Sequence, residues 1–181
     1  YVPQDIPCGA YVHTFSYQKD EKAPKTFLNF EGVDSCFYVW LNGVYVGYSQ
    51  VSHAVSEFDV TSLLQEGENK LAVLALKWCD GSYLEDQDKF RMSGIFRDVY
   101  LLKRPERYVR DYRITTEITK DSAAVNVDIC FSEPAGTTII IEDKYGTAVA
   151  RGEISKDGLL ELTVPQPVLW NTEHPYLYTI I

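Results

Sequence analysis

At 181 residues, 45% of them hydrophobic and 13% aromatic, the chain has enough apolar material for one large or two small packed domains, which excludes a disordered polypeptide. A formal charge of −9 works against nucleic acid and anionic membrane surfaces as partners, and no apolar run approaches the length that crosses a bilayer. Residue 1 is Tyr rather than Met, with no basic segment and hydrophobic run behind it, as in an internal piece of a longer polypeptide.

Along the chain the apolar period is two rather than 3.6. Residues 11–17 and 25–30 alternate and are rich in β-branched and aromatic types, which predicts strands. Residues 36–41 and 44–49 are two more, joined by Asn42-Gly43, a pair that tolerates positive φ at both centres of a type I′ turn, so a hairpin is predicted. Residues 58–60 lead into a single helical turn at 61–64, and 65–69 read as a turn. Residues 71–76 are apolar on both faces, as in a central strand covered by its own sandwich on one side and by a neighbouring segment or domain on the other. After the polar stretch 78–98, Gly94 turns the chain into a strand at 95–102.

Residues 103–107 are charged and proline-marked, the composition of an interdomain connector, which predicts domains at 1–104 and 105–181. Beyond the connector, strands are predicted at 112–118, 125–131, 138–142, 148–154 and 159–164, with turns at 134–136, 144–146 and 156–158. That spacing suits an immunoglobulin-like sandwich. No helical period of ten residues occurs anywhere, so the fold class is all-β, built of sandwiches. Cys8, Cys36, Cys79 and Cys130 are scattered without a Cys-x-x-Cys spacing and read as free thiols of a reducing compartment. His13, His53 and His174 are isolated, so neither a zinc cluster nor a nucleophilic triad is legible.

The chemistry concentrates in 78–98, where five carboxylates (Asp80, Glu85, Asp86, Asp88 and Asp98) and two arginines (Arg91 and Arg97) stand among aromatic and glycine residues between two apolar strands. A polar loop on a rigid scaffold is where binding chemistry is presented. On residue type alone, Asp80-Gly81 is a turn pair. Two of the local acids could form a catalytic pair, but nothing in the sequence supplies the apolar pocket that would raise one of them.

The string Trp78-Cys79-Asp80-Gly81-Ser82-Tyr83-Leu84-Glu85-Asp86-Gln87-Asp88, followed by Arg91-Met92-Ser93-Gly94-Ile95-Phe96-Arg97-Asp98-Val99, closely resembles the bacterial beta-galactosidases of glycoside hydrolase family 2. Further stretches agree in the same order: Phe30-Glu31-Gly32-Val33-Asp34-Ser35, Trp40-Leu41-Asn42-Gly43, Ser56-Glu57-Phe58-Asp59 and Gly67-Glu68-Asn69-Lys70-Leu71-Ala72-Val73. The resemblance covers the first hundred or so residues well and is weaker beyond them, although residues 168–178 are similar to the family's exit from its second domain.

The resemblance implies a galactose-binding-like jelly roll followed by an immunoglobulin-like domain, with a catalytic (β/α)8 barrel outside these residues. Retaining glycosidases need two carboxyl groups roughly 5–5.5 Å apart, and by resemblance both lie on that barrel, so the 181 residues alone are expected to be inactive. Asp80 matches the aspartate that reaches the barrel's active site, contacts the galactosyl ring and helps hold a sodium ion; carboxylate oxygen suits a hard cation. Asp34 stands where the best-known members carry a substrate-touching asparagine. It keeps the acceptor oxygens, loses the amide donors and adds charge. A magnesium site is implied on the barrel.

Arg91 and Arg97 are expected to clamp neighbouring carboxylates, and Tyr38, Trp40, Tyr45 and Tyr83 to pack in a core or interface or to stack on a sugar. The implied partners are a galactoside and the protein's own C-terminal barrel, in the cytoplasm, and a homo-oligomer of the full-length enzyme is compatible with this. The best-known enzyme sends a long loop of its second domain into a neighbouring subunit. Here the corresponding stretch is only Ser155-Lys156-Asp157-Gly158, enough to close a hairpin. A reading from another class, a free-standing carbohydrate-binding or structural module, stands beside the enzyme reading.

Overall fold

In the computed structural model, which describes residues 4–84, 88, 90–156 and 158–181, the alternating stretches are strands, and the chain divides into two compact units, Tyr1–Glu106 and Arg107–Ile181. Glu106 is held to the first unit by Lys25, whose Nζ lies 2.9 Å from its Oε1.

The first unit contains β1 (Cys8–Tyr17), β2 (Lys25–Phe30), β3 (Val33–Asp34), β4 (Cys36–Leu41), β5 (Val44–Gln50), β6 (Ser56–Asp59), β7 (Gly67–Leu76), the one-turn α1 (Gly81–Leu84), β8 (Gly94–Ile95) and β9 (Val99–Arg104). A four-stranded antiparallel sheet ordered β1-β7-β4-β5 lies over a three-stranded one ordered β6-β2-β9, and β3 pairs with β8. Alternation sends Phe37, Val39 and Leu41 of β4 and Leu71, Val73 and Ala75 of β7 inward, where they meet Leu28 and Phe30. Each of these side chains other than Ala75 contributes about 1.5–3 kcal/mol on burial. This is the jelly-roll unit of an all-β chain.

The hairpin at Asn42-Gly43 forms as predicted, with φ of 53° and 81° and Leu41 opposite Val44. Asn42 is fixed by more than turn chemistry. Its Nδ2 donates to Asn69 Oδ1 at 2.8 Å and to the Leu63 carbonyl at 3.0 Å, and its Oδ1 accepts from Lys70 N. The turn at 61–64 is one helical turn, with Leu63 N and Leu64 N both donating to the Val60 carbonyl.

Two predicted boundaries move. The strand expected from residue 71 starts at Gly67, because the turn-like residues 67–70 pair with residues 14–17 of β1. The strand expected over 95–102 is two pieces: β8 pairs with β3, β9 pairs with β2, and the chain changes partner between them.

The second unit is a sandwich of β10 (Val109–Ile118), β11 (Ser122–Phe131) and β14 (Leu159–Pro165) against β13 (Ala148–Ile154), β12 (Thr137–Glu142) and β15 (Thr179–Ile180), all neighbours antiparallel. Its core joins Val125, Val127, Ile129, Leu162 and Val164 of the first sheet to Ile139, Ile141 and Ile154 of the second, the immunoglobulin-like arrangement of two inner faces. The stretch after Ile154 does not close a hairpin: β13 pairs with β12 and β14 with β11, so the chain crosses there from one sheet to the other. Gly158 in this crossing has φ 75°, and a Cβ on it would lie 2.1 Å from the Ile129 carbonyl oxygen.

Candidate functional site

Two stretches distant in sequence meet at the end of β7. Leaving Gly32, where a Cβ would sit 2.7 Å from the Phe96 ring, the chain forms β3 with Asp34 opposite Gly94. The Asp34–Ser35 peptide is cis. Ser35 N then donates to the Leu76 carbonyl at 2.9 Å, which anchors this turn to the last residue of β7. From Leu76 the chain runs through Lys77 to Asp80 and into α1, whose Ser82 turns back toward Ser35.

The two serines form the joint. Their Oγ atoms are 2.8 Å apart, both residues are buried, and Ser82 Oγ also accepts from Cys79 N at 3.1 Å. Ser35 Oγ lies 2.9 Å from both Asp34 Oδ1 and the Lys77 carbonyl, two groups that only accept. One hydroxyl has one proton, so Ser82 donates to Ser35, and Ser35 serves the Asp34 carboxylate or the Lys77 carbonyl.

Asp34, 8% exposed, sits at one end of this relay. Asp80 is in the turn that carries Ser82 but outside the relay, which ends at Cys79 N; it is exposed, its Oδ1 accepting from Gly81 N at 2.9 Å. Arg91 Nη1 donates to the Ser82 carbonyl at 2.7 Å, and Lys77 Nζ donates to the Met92 carbonyl at 3.0 Å and to Ser93 Oγ, so the 91–93 segment is held against the same cluster. Asp34, Ser35, Ser52, Ser82 and Arg91 line a polar hollow of about 10 Å³, which admits about one water and no sugar ring. A roomier apolar hollow of about 630 Å³ in the same unit shares none of these residues. Among the described residues, this cluster therefore presents acceptor groups at a surface rather than in an enclosed sugar pocket.

Beside the relay, the Cys36 thiol contacts Cys79 and the Tyr48 hydroxyl. Burial pushes the Cys36 thiol above its ordinary 9.0, and the neighbouring Cys79 and Asp80 charges push the same way against the Tyr48 hydrogen bond. Tyr48 is likewise pushed up, by burial first and then by Cys36. All four thiols are free.

The remaining candidates are distributed differently from the sequence expectation. Arg97 lies over the Phe96 ring, 5.5 Å from its centroid, rather than in a carboxylate clamp. Glu85 and Asp86, proposed partners of Arg91, lie outside the described residues. Tyr38, Trp40, Tyr45 and Tyr48 make a contiguous aromatic face on the outside of β4 and β5, with centroids 4.9–6.1 Å apart. Tyr83 is exposed on α1 near Asp80. Sequence reasoning singled out neither Ser35 nor Ser82, because serine beside Asp or Gly is an ordinary turn residue.

A hard cation needs several oxygen ligands. Among the described residues no group of three or more His, Cys, Asp or Glu side chains gathers. Asp80 has the right donor chemistry for one such ligand.

Comparison with known proteins agrees with this architecture. The family description "Glycosyl hydrolases family 2, sugar binding domain" matches residues 1–105, and "Glycosyl hydrolases family 2" matches residues 107–181. The chain is 45% identical to a beta-galactosidase of Staphylococcus xylosus, with 99% of this chain and 18% of that protein covered. It is 48% identical to a beta-galactosidase of Actinobacillus pleuropneumoniae, with 100% of this chain and 18% of that protein covered. The chain thus spans about a fifth of the length of these relatives. Among solved structures, an FMN-binding beta-glucuronidase from Facaelibacterium prausnitzii L2-6 superposes with a TM-score of 0.84 at 22% identity, over 96% of this chain and 29% of that one. This second likeness shows the fold alone. Matched over both units, the chain belongs to glycosyl hydrolases family 2, and its first unit is the family's sugar-binding domain.

Proposed function

We propose that these 181 residues are a non-catalytic part of a retaining beta-galactosidase, and that they lend Asp34 and Asp80 to a galactoside site whose catalytic carboxyl pair lies on a (β/α)8 barrel elsewhere in the polypeptide. The observation that supports the reading is the 2.8 Å Ser35–Ser82 contact, which ties the turn bearing Asp34 to the turn bearing Asp80 although they are far apart in sequence. Identities of 45% and 48% to beta-galactosidases support the substrate class.

Both carboxylates accept hydrogen bonds, which suits sugar hydroxyls. Asp34 is oriented by Ser35, while exposed Asp80 is free to reach outward and to serve as one oxygen ligand of a sodium ion. A magnesium ion would belong to the barrel.

The test is Asp80→Ala in the full-length enzyme. KM for an aryl galactoside should rise about tenfold or more, the loss of roughly one charge-assisted hydrogen bond, and the response to sodium should flatten while circular dichroism stays unchanged. Unaltered kinetics across a sodium titration would refute the role. Tight galactose binding by the 181-residue chain alone, read by calorimetry, would instead favour a free-standing module, since a few acceptors on an open surface do not offset the entropy of holding a small sugar.

A further inference from the structure

Cys36 and Cys79 belong to the two stretches that meet at the end of β7, and their thiols are in contact. Their backbones are held unequally. Cys36 opens β4, where it is 4% exposed and paired on both sides, with Leu76 of β7 and with Gln50 of β5. Cys79 stands half-exposed in the turn before α1. Its N–H donates to Ser82 Oγ at 3.1 Å, its carbonyl accepts from Ser82 N at 3.1 Å, and its Sγ lies 3.8 Å from the same Ser82 oxygen. One thiol is thus fixed in a strand ladder, and the other reaches solvent on a turn. The Ser82–Ser35 contact of 2.8 Å keeps that turn against the residue before Cys36. An accessible thiol backed by a buried one in contact with it is the arrangement of an attacking and a resolving cysteine.

We propose that Cys36 and Cys79 form a reversible disulfide on exposure to a low-molecular-weight disulfide of the glutathione class, and that this bond draws the Asp80 turn out of place. The second half of the inference rests on the reading of Asp80 as a galactoside contact. Cys79, as thiolate, attacks one sulfur of the oxidant, forming a mixed disulfide and expelling the other half as a thiolate. Cys36, as thiolate, then attacks Cys79 Sγ and expels the second half. Two protein thiols are oxidised, one external disulfide is reduced to two thiols, and the two protons released by the protein end on them. The bond needs its sulfurs about 2.05 Å apart, well inside van der Waals contact, so they must close up. The ladder on both sides of β4 holds Cys36, so the movement falls on the turn, where Asp80 is the next residue. A metal ion is a poorer occupant of the pair. A soft cation draws further Cys or His ligands, and among the described residues no third such side chain gathers there.

The experiment exposes the full-length enzyme to glutathione disulfide, blocks the remaining thiols with N-ethylmaleimide and maps the disulfides by mass spectrometry. On the same samples kcat/KM is measured for an aryl galactoside. The expected result is a linked Cys36–Cys79 peptide pair with a fall in kcat/KM of about threefold or more, since misplacing a substrate contact by about 1 Å can cost about 100-fold. Dithiothreitol should reverse both. The link and the fall should be absent in Cys79→Ser, and Cys36→Ala should stop at the Cys79 mixed disulfide. Mixed disulfides at Cys79, Cys8 or Cys130 of the wild type without the link overturn the inference, as does a link that leaves kcat/KM unchanged in an enzyme that Asp80→Ala impairs. The two readings fail separately: a link in an enzyme indifferent to Asp80→Ala sinks the proposed function alone, and no link in an enzyme that Asp80→Ala impairs sinks the thiol pair alone.

Discussion

If the Ser35–Ser82 contact is the joint between the Asp34 turn and the Asp80 turn, the two serines must be energetically coupled. Ser82→Ala removes the acceptor of Cys79 N–H and the partner of Ser35, two hydrogen bonds of 3.1 and 2.8 Å. At about 1 kcal/mol net for each, the variant loses about 2 kcal/mol. Ser35→Ala loses the same Ser82 contact together with its bond to Asp34 Oδ1 or the Lys77 carbonyl, again about 2 kcal/mol. One bond is common to both, so the double variant should lose about 3 kcal/mol, a coupling of about 1 kcal/mol.

Urea unfolding of the 181-residue chain in a Trp170→Phe background measures this, because Trp40 and Trp78 then report the first unit alone. The midpoint should fall in each single variant with the denaturant slope unchanged. Additivity of the two substitutions within about 0.3–0.5 kcal/mol would refute the relay, since that is the behaviour of sites that share no partner.

Asn69 is 1% exposed and makes four hydrogen bonds, two accepted from Gln65 N and Asn42 Nδ2 and two donated to the Gln65 and Gly67 carbonyls. Asn69→Ala should therefore cost about 3 kcal/mol in the same unfolding assay, and Asn69→Asp, which keeps the acceptors, clearly less; equal losses would mean that the two accepted bonds carry nothing. The Cys36 thiol, raised by burial and then by its neighbours, releases its proton at higher pH in the folded chain than in the unfolded one. Its contribution is fully present below about pH 9 and is lost as pH rises through the folded value, with Tyr48 acting in the same direction at still higher pH. The urea midpoint should fall more steeply above pH 9 in the wild type than in Cys36→Ala, and parallel pH profiles would count against the assignment.

What the sequence by itself determined is local. Period-two alternation is written in neighbouring residues, so 25–30, 36–41 and 148–154 are strands with the bounds it predicts. The Asn42-Gly43 turn follows from the φ that those two residue types accept. Asp34 and Asp80 stood out because long ordered strings around them resemble one enzyme family.

Tertiary structure decided the rest. Residues 67–70 have turn composition and lie in a strand because β1 holds them there, and 155–158 has hairpin length but crosses between sheets because its flanking strands take different partners. The apolar hollow beneath β1 lies where the edge strands β1 and β9 of the two sheets do not pair among the described residues. The Ser35–Ser82 joint and the Cys36–Cys79 contact leave no mark on either stretch alone. A hydrogen bond between residues far apart in sequence is set by strand register, and register is a property of the partner strand that no local pattern records.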